Sequence, residues 1–333
     1  MRVSVVGGGA WGTALGAVAA GDGEPVTLWA REEAVVAAIN GQHMNTQFLK
    51  RVPLPASLTA TSNLPAAAAA DAILMVTPAQ HLRTVARELA PHVAPGTILI
   101  LCAKGIERGS DALLSEALAE AVPQAVPAVL SGPSFADEVA QGFPTAVTLA
   151  LTDPRGPALA QRLGRATFRP YLSDDLVGTE IGGAVKNVLA IACGIVEGKG
   201  LGHSARAALI TRGFAEMLRF AVAMGARAET LNGLSGLGDL VLTCTSTKSR
   251  NYALGVALGR GDTLDHGLAA SKGIAEGAFT AAALKERAAQ AQIEMPISDA
   301  VDAILSGQTT IDVAIRGLLT RPFTAEMGAR AIG

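Results

Sequence analysis

Short runs of aliphatic and β-branched residues alternate with longer amphipathic stretches over the first half of the chain. The amphipathic stretches are rich in Ala and Leu and have the hydrophobic spacing of helices, while the short runs between them predict strands. The predicted strands occupy residues 2–6, 26–29, 71–76, 97–102, 128–131 and 145–149. Strands that alternate with helices are typical of an α/β fold with a mostly parallel, doubly wound sheet.

The second half of the chain has a different pattern. After about residue 176 the strand pattern stops, and helical stretches joined by glycine-rich turns follow at residues 183–196, 205–224, 276–291 and 298–305. A chain of 333 residues is long enough for two hydrophobic cores. We therefore predict two domains, a doubly wound sheet over residues 1–176 and an all-helical domain over residues 177–333.

The composition argues against two kinds of partner. The chain carries 27 Lys+Arg and 29 Asp+Glu, which gives a net charge of −2, whereas a protein that neutralises nucleic-acid phosphates needs a basic face. Hydrophobic residues make up 50% of the chain. Its longest apolar runs, residues 188–196 and 98–103, are nevertheless shorter than the roughly 20 residues that cross a bilayer. We expect neither nucleic-acid binding nor a membrane span.

The cysteines indicate a reducing compartment. Cys102, Cys193 and Cys244 are odd in number and far apart in sequence, which is typical of free thiols in the cytosol. The histidines form no i, i+4 pair, and the N-terminus has no secretory leader. The sequence therefore predicts a cytoplasmic protein without a bound metal.

A glycine-rich turn follows the first predicted strand. Gly7, Gly9 and Gly12 form the pattern Gly-x-Gly-x-x-Gly at the start of an Ala-rich helical stretch that runs to Ala20. The first glycine permits a tight turn, the second lets backbone amides approach a pyrophosphate, and the third lets the helix pack closely on the strand. Because a helix N-terminus also attracts anions, the arrangement predicts a Rossmann-type dinucleotide site.

The residue that follows the second predicted strand bears on the choice of dinucleotide. An acidic residue at this point binds the ribose 2′-hydroxyl of NAD(H), but this chain has Arg31. Since a guanidinium pairs with a 2′-phosphate, we predict that NADP(H) is accepted and preferred, with NAD(H) as the second cofactor. In the alternative interpretation Arg31 is a solvated residue, and Glu32 or Glu33 binds the ribose.

Two lysines lie in apolar surroundings. Lys104 comes just after the predicted strand at residues 97–102, at the carboxyl end where open α/β sheets bind ligands. Lys186 lies inside an apolar helical run and shares a face with Ala190 and Cys193, whose small side chains are expected to leave room for a ligand. Burial beside cations lowers the pKa of a lysine toward neutrality and suits Lys186 to proton transfer between a carbonyl and an alcohol. The alternative is a structural lysine that extends its ammonium to solvent.

Two later motifs add polar groups to this set. Asp239 and Thr243 are four residues apart, so on a helix they share a face from which the carboxylate can orient Lys186. Arg250 and Asn251 supply a guanidinium fork and an amide that suit phosphate oxygens. Taken singly, these motifs are more typical of a capped helix start and a surface turn.

Seven segments spread over both halves of the chain carry a family resemblance. They are GGGAWGTALG at residues 7–16, AKG at 103–105, GPSFA at 132–136, GGAVKNV at 182–188, AALITRG at 207–213, GLGDLVLTCT at 236–245 and SRN at 249–251. With these segments in register over its whole length, the chain resembles the bacterial NAD(P)-dependent glycerol-3-phosphate dehydrogenases. On spacing alone, the turn at residues 132–136 is either a ligand contact or a plain strand-to-helix connection.

The resemblance implies an activity and a set of site residues. The activity is the interconversion of dihydroxyacetone phosphate and sn-glycerol 3-phosphate with NAD(P)H, which supplies glycerol 3-phosphate for phospholipid synthesis. The implied proton-transfer residue is Lys186, and the residues beside it are Lys104, Asp239, Asn187 and Thr243. The implied cofactor contacts, besides the fingerprint glycines, are Ala10, Trp11, Arg31, Lys104, Ala136, Arg250, Ile274 and Glu276. The implied substrate contacts are Lys104, Gly132, Ser134, Lys186, Asp239, Ser249, Arg250 and Asn251.

Two other functions stay open at this point. The first is a related two-domain reductase of the β-hydroxyacid or ketopantoate type, whose substrate is a carboxylate, although the cluster at residues 249–251 favours phosphate. The second is a non-catalytic module that senses NADPH, against which the charged residues around Lys186 argue. The resemblance also implies a homodimer. Ala10 departs from the serine common in the family, which removes one hydroxyl contact to the pyrophosphate.

Overall fold

The computed structural model describes residues 1–270 and 273–322 of the chain. The strands in this part are β1 (Val3–Val6), β2 (Val26–Trp29), β3 (Leu58–Thr61), β4 (Ala72–Met75), β5 (Ile98–Leu101), β6 (Val126–Ser131), β7 (Thr145–Ala150) and β8 (Phe168–Ser173). They form one sheet in the order β3-β2-β1-β4-β5-β6-β7-β8, parallel except where β6 pairs antiparallel with β7. The order reverses between β1 and β4, so the predicted doubly wound α/β fold is confirmed.

Helices accompany the sheet and then build the rest of the described chain. The first group is α1 (Ala10–Ala20), α2 (Glu33–Gln42), α3 (Leu64–Ala68), α4 (Leu82–Leu89), α5 (Leu114–Ala121), α6 (Ala136–Ala140) and α7 (Gly156–Leu163). The second group is α8 (Leu176–Gly198), α9 (His203–Ala223), α10 (Ala228–Leu231), α11 (Asp239–Cys244), α12 (Arg250–Gly259), α13 (Leu264–Ala270), α14 (Glu276–Gln290), α15 (Pro296–Leu305) and α16 (Ile311–Leu319). We refer to residues 1–173 as the sheet half and to residues 176–322 as the helical half.

The central strands are buried on both faces. Every residue of β1, β4 and β5 is buried, because helices cover the sheet on each side and form a separate hydrophobic core there. This burial explains the nearly continuous apolar runs from which these strands were predicted. Their carboxyl ends lie at one edge of the sheet, where the glycine turn and Lys104 follow β1 and β5.

The structure adds two strands that the sequence pattern does not predict. In β3 the residues Leu58 and Ala60 are buried while Thr59 is exposed, and β8 contains Pro170 and exposes Tyr171. Both strands lie at the edges of the sheet and pair on one side only. An edge strand tolerates proline and needs no continuous apolar run, so its sequence signal is weak.

The helical half is built around α8. The predicted helix at residues 183–196 begins earlier, at Leu176, because the Asp175 side chain accepts a hydrogen bond from the Gly178 backbone N–H and caps it. Glycines bring α8 and α12 into backbone contact: a Cβ on Gly194 would overlap the Tyr252 carbonyl oxygen. The other three helices predicted in this half are present as α9, α14 and α15.

Helix α8 is also the one helix among the described residues that is long and apolar enough to cross a membrane. Its most apolar window is 89% buried within the protein. A helix that is hydrophobic on all sides is typical of a protein core as well as of a membrane. The burial identifies α8 as the core helix of this half.

Candidate active site

The glycine turn after β1 has a constrained backbone. Gly7 has φ = +129°, and a Cβ there would lie 2.8 Å from the Val76 carbonyl carbon. A Cβ on Gly12 would overlap the Gly7 carbonyl oxygen, so α1 packs on the turn too closely for any side chain. At Gly9, by contrast, nothing lies within 4 Å of the Cβ position. The tight turn, the close packing and the open space each fall on the glycine to which the pattern assigns them.

The residues around this turn fit a dinucleotide. No side chain caps α1 at Gly9, so the first backbone N–H groups of the helix carry their positive partial charge toward open space. Among the described residues, neither Trp11 Nε1, a buried donor beside the turn, nor Glu276 Oε2, a buried acceptor near the loop after β4, has a hydrogen-bond partner. Buried polar atoms are normally satisfied, and a polar ligand at the turn would provide what these two lack.

Arg31 lies two residues beyond the end of β2. Its Nη2 donates to Glu32 Oε1 at 3.2 Å, and its side chain is 80% exposed. Such an exposed ion pair is weak, so the guanidinium stays available to an incoming phosphate. The preference for a 2′-phosphate over a 2′-hydroxyl stays a prediction.

Three charged side chains meet between the two halves. Lys186 Nζ donates to Asp239 Oδ1 at 2.6 Å and to Thr243 Oγ1 at 2.9 Å. Lys104 Nζ donates to Asp239 Oδ2 at 2.7 Å and to the Gly132 carbonyl oxygen at 2.9 Å. The buried Asp239 carboxylate therefore lies between two ammonium groups, one from each half of the chain.

The local structure explains why Asp239 reaches this position. The segment Leu234–Gly238 forms a single π-helical turn in which a Cβ on Gly236 would overlap the Leu231 carbonyl oxygen. Helix α11 then begins at Asp239 and places Thr243 one turn later on the same face, with its Oγ1 3.4 Å from Asp239 Oδ1. Short π-helical turns of this kind are frequent at functional sites.

Burial gives Lys186 the protonation behaviour of a proton-transfer group. Burial lowers the pKa of Lys186 to about 8, the Lys104 charge acts in the same direction, and the attraction of Asp239 opposes both. The residue is 7% exposed, so the interpretation as a structural lysine that extends to solvent is wrong. An ammonium with this pKa both gives up and recovers a proton near neutral pH.

The expectation that small residues leave room for a ligand along α8 is wrong. Ala190 and Cys193 are fully buried, and the Cys193 side chain contacts Cys244 of α11. Packing of α11 fills the space that the small side chains leave. The open side of the cluster is that of Lys104, whose side chain is 16% exposed.

Two asparagines support the charged cluster. Asn187 Nδ2 donates to the Lys104 carbonyl oxygen at 3.0 Å, and Asn251 Nδ2 donates to Asn187 Oδ1 at 3.0 Å. Asn251 Oδ1 in turn accepts from the Gly277 backbone N–H at 2.9 Å. The pair connects α8, α12 and α14, which adds a supporting role to the substrate contact that the resemblance implies for Asn251.

The other predicted phosphate-binding residues lie at the start of α12 and after β6. Ser249 Oγ accepts from the Tyr252 backbone N–H at 3.2 Å and caps α12. Arg250 Nη1 donates to the Ile274 carbonyl oxygen at 3.3 Å, and the Arg250 side chain is exposed. In the sheet half, Ser134 Oγ donates to the Gly132 carbonyl oxygen at 3.0 Å, two residues before α6 begins at Ala136.

An ion pair brings these two segments together. Lys248 Nζ, next to the cap of α12, donates to Asp137 Oδ2 at 2.9 Å and to Glu138 Oε1 at 2.8 Å in α6. The segments at residues 132–136 and 249–251 therefore lie close together across the two halves. Lys248 is the first residue of the motif that contains Arg250 and Asn251, but sequence reasoning assigned it no role, because an exposed lysine has no pattern of its own.

Glu276 and Ile274, the cofactor contacts predicted in the helical half, lie against the loop after β4. Glu276 Oε1 accepts from the Ala79 backbone N–H at 3.1 Å. Burial raises the pKa of Glu276 to about 7, and the bond from Ala79 works against that rise. Because β4 is the neighbour of β1, this contact lies at the point where the strand order reverses.

Asn45 is a supporting residue that sequence reasoning missed. Its Nδ2 donates to the Gly8 carbonyl oxygen and to Thr13 Oγ1, each at 2.8 Å, and it is fully buried. It therefore holds the glycine turn from the irregular segment after α2. The only sequence signal is one amide in a stretch without periodicity.

The fold and the site together define a class of protein. A glycine turn at the reversal point of a doubly wound sheet is typical of a dinucleotide site, and a buried lysine of near-neutral pKa at the same edge of the sheet suits proton transfer. Across the residues that the structure describes, no three His, Cys, Asp or Glu side chains are grouped to hold a metal ion. The glycine turn and the buried lysine are the features that define a nicotinamide-dependent oxidoreductase.

Comparison with known proteins gives the family. The sequence models of the NAD-dependent glycerol-3-phosphate dehydrogenase N-terminus and C-terminus match residues 2–156 and 175–316. A glycerol-3-phosphate dehydrogenase (NAD(P)+) of Parvibaculum lavamentivorans is 58% identical, and one of Caulobacter vibrioides is 55% identical, each over 98% of both chains. The chain belongs to the NAD-dependent glycerol-3-phosphate dehydrogenase family.

Solved structures agree with this assignment. Glycerol-3-phosphate dehydrogenase of Coxiella burnetii has a TM-score of 0.92 and 40% identity, covering 96% of this chain and 99% of that one. The enzyme of Saccharomyces cerevisiae has a TM-score of 0.83 and 28% identity, covering 95% and 98%. A ketopantoate reductase of Ralstonia eutropha, at 16% identity and a TM-score of 0.61 over 92% and 97%, shares the fold alone. The predicted NAD(P)-dependent enzyme is confirmed, and the carboxylate reductase and the sensor are set aside.

Proposed function

We propose that this chain interconverts dihydroxyacetone phosphate and sn-glycerol 3-phosphate with NAD(P)H, and that Lys186 transfers the proton. The observation that carries the proposal is the buried cluster of Lys186, Asp239 and Lys104 at the edge of the sheet where the glycine turn lies. Lys104 follows β5, which is two strands from β1, or about 10 Å across the sheet. A dinucleotide on the turn and a ketone at Lys186 are thus within one ligand length of each other.

Lys186 performs the proton step. A bound reduced nicotinamide supplies the hydride to C2 of the substrate. Lys186 Nζ gives its proton to the C2 oxygen, so the carbonyl becomes a secondary alcohol and the lysine becomes neutral. The lysine then recovers a proton from water, which its pKa of about 8 permits. In the oxidation direction neutral Lys186 accepts the hydroxyl proton.

The hydrogen bonds of the two lysines direct one N–H of each toward the substrate. An ammonium has three N–H donors. Lys186 uses two of them on Asp239 and Thr243, and Lys104 uses two on Asp239 and Gly132. The third donor of Lys186 faces the reacting oxygen, and that of Lys104 stabilises the charge that develops there.

Arg250 and its neighbours hold the phosphate end of the substrate. Within the described part of the chain, Arg250 donates to the Ile274 carbonyl oxygen alone, which leaves its other N–H groups for a phosphate. Ser249 and Asn251 flank it, and Gly132 and Ser134 approach from the sheet half. A phosphate satisfies more of these donors than a carboxylate does, which favours dihydroxyacetone phosphate.

The cofactor and the assembly belong to the same proposal. Residues 1–176 form the dinucleotide-binding domain and residues 177–333 the catalytic domain, with the cofactor also touching Ala10, Trp11, Ala136, Ile274 and Glu276. Exposed Arg31 supports a preference for NADP(H). The family resemblance further supports a cytoplasmic homodimer that supplies glycerol 3-phosphate for phospholipid synthesis.

A steady-state assay with dihydroxyacetone phosphate and each reduced cofactor tests the activity. We expect Lys186→Ala to lose about 10²–10⁴-fold in kcat while NADPH binding, followed by fluorescence, persists. Lys199→Ala is the matched control, because Lys199 caps the far end of the same helix and pairs with Asp312. Near-normal turnover of Lys186→Ala would refute the assignment.

A further inference from the structure

Helix α8 touches the sheet half along one row of residues. Glu180, Gly183 and Asn187 share a face because they are three and four residues apart. Asn187 reaches the Lys104 carbonyl oxygen, and a Cβ on Gly183 would lie 3.3 Å from Lys104 Cγ. Glu180 lies at the start of this row, on the helix that carries Lys186.

Glu180 binds the far end of the segment that carries Lys104. Its Oε1 accepts from the Ser115 backbone N–H at 3.0 Å, and its Oε2 accepts from Ser115 Oγ at 2.6 Å. Ser115 lies in the first turn of α5, the helix that follows β5 and the Lys104 loop. The loop is therefore attached to α8 at both ends, by Asn187 beside Lys104 and by Glu180 at α5.

Within the described part of the chain, Glu180 is buried without an ion-pair partner. The residue is 4% exposed, and burial raises the pKa of its carboxyl to about 7, against the hydrogen bonds from Ser115 and the Leu114 backbone. The facing charged group is Glu116, which raises that pKa further and is itself paired with Arg287. Burial therefore disfavours the charged form of Glu180. The side chain nevertheless joins the two halves of the molecule, and it lies outside the predicted substrate and cofactor site.

We propose that Glu180 is a positioning residue for the reaction, which fixes the Lys104 loop against α8 and so sets the distance between the Lys104 and Lys186 ammonium groups around Asp239. The inference rests on the proposed role of Lys186. Loosening the attachment draws Lys104 away and admits water to the cluster. Both changes raise the pKa of Lys186 toward that of a solvated lysine.

The chain offers a matched control for this contact. Glu216 is another buried carboxylate, 2% exposed, that binds the start of a helix: it accepts from the Ile297 backbone N–H at 2.8 Å and the Ser298 backbone N–H at 3.3 Å. Burial raises its pKa to about 7 as well. Its contact joins α9 to α15 within the helical half, so it shares the chemistry of Glu180 but not the connection to Lys104.

The experiment compares Glu180→Gln, Ser115→Ala and Glu216→Gln with the wild-type enzyme, using Tm, kcat against pH and the KM for NADPH. We expect both glutamine variants to lower Tm. Of these two glutamine variants, Glu180→Gln alone lowers kcat, by about tenfold, with the KM for NADPH unchanged, because the lysines lose their alignment. Reduction needs protonated Lys186, so kcat falls as pH rises through the Lys186 pKa, and this fall forms the alkaline limb of the pH profile. Glu180→Gln raises that pKa and moves the alkaline limb to higher pH. Ser115→Ala acts in the same direction with a smaller effect.

A Glu180→Gln enzyme with wild-type kcat and an unmoved alkaline limb would overturn the inference and leave Glu180 a structural residue. So would an equal change in Glu216→Gln. If Glu180→Gln does not fold, an unchanged kcat and limb in Ser115→Ala overturn it instead. These outcomes differ from failure of the proposed function, in which the wild-type enzyme does not reduce dihydroxyacetone phosphate or Lys186→Ala retains its turnover.

Discussion

Asp239→Asn tests the electrostatics of the cluster most directly. The substitution keeps the size of the side chain and removes the carboxylate that both Lys186 and Lys104 contact. Burial and the Lys104 charge remain, and each of them lowers the pKa of Lys186. The attraction that opposed them is lost, so this pKa falls below its wild-type value of about 8.

The size of the fall follows from the geometry. Two unit charges about 4 Å apart attract by about 4 kcal/mol at an effective dielectric constant of about 20. The dipole of the new amide and water that enters the site replace part of the lost attraction. We therefore expect the pKa of Lys186 to fall by about one to two units, or about 1.4–2.7 kcal/mol. A pKa of about 6.5 lowers the ammonium fraction at about pH 7.5 roughly eightfold.

The assay is kcat for dihydroxyacetone phosphate reduction from about pH 5.5 to about pH 9.5, a window around the Lys186 pKa of about 8. Wild-type turnover is lost as pH rises through that value, whereas Asp239→Asn loses it at lower pH and recovers part of it in acid. Asp302→Asn is the control, since Asp302 pairs with Lys285 at 3.0 Å elsewhere in the helical half. An alkaline limb of Asp239→Asn at or above the wild-type position refutes the reasoning.

Two further predictions concern the cofactor and the core. We expect Arg31→Ala to raise the KM for NADPH about tenfold and to leave the KM for NADH near its wild-type value, because only the 2′-phosphate pairs with the guanidinium. Equal changes in the two KM values would contradict a role of Arg31 in binding the 2′-phosphate. Gly255→Ala places a Cβ onto the Ile191 carbonyl oxygen and forces α8 and α12 apart, at a cost of about 3 kcal/mol and about 6 °C in Tm. Gly317→Ala in α16 is the control, because its new Cβ meets nothing within 4 Å, and we expect it to stabilise the protein by up to about 1 kcal/mol. A similar gain for Gly255→Ala would show that α8 and α12 are not in contact.

The parts of the fold that local sequence patterns predict are those whose burial is continuous. Strands β4 and β5 are apolar over their whole length, and β1 and helix α8 are mostly apolar, because both faces of these strands and all sides of this helix are covered. The edge strands β3 and β8 escaped prediction because a half-exposed strand carries polar residues and even a proline.

The same division holds for the site. Lys186 stood out because a charge in an apolar run is costly and therefore needs a reason, and Asp239 stood out because it is four residues from Thr243. Asn45 and Glu180 did not, since each acts through hydrogen bonds to residues far away in sequence. No spacing rule relates Glu180 to Ser115, which are 65 residues apart.

Local sequence patterns establish the alternation of strands and helices, the glycine turn and the identity of the charged residues, because each of these depends on neighbours within one turn or one strand. Only the tertiary structure decided that Lys104 and Lys186, from different halves, share the carboxylate of Asp239. It also decided that the small face of α8 is filled by α11 and not by a ligand. The physical reason is that burial and Coulomb attraction depend on distance in space, which local spacing along the chain does not specify.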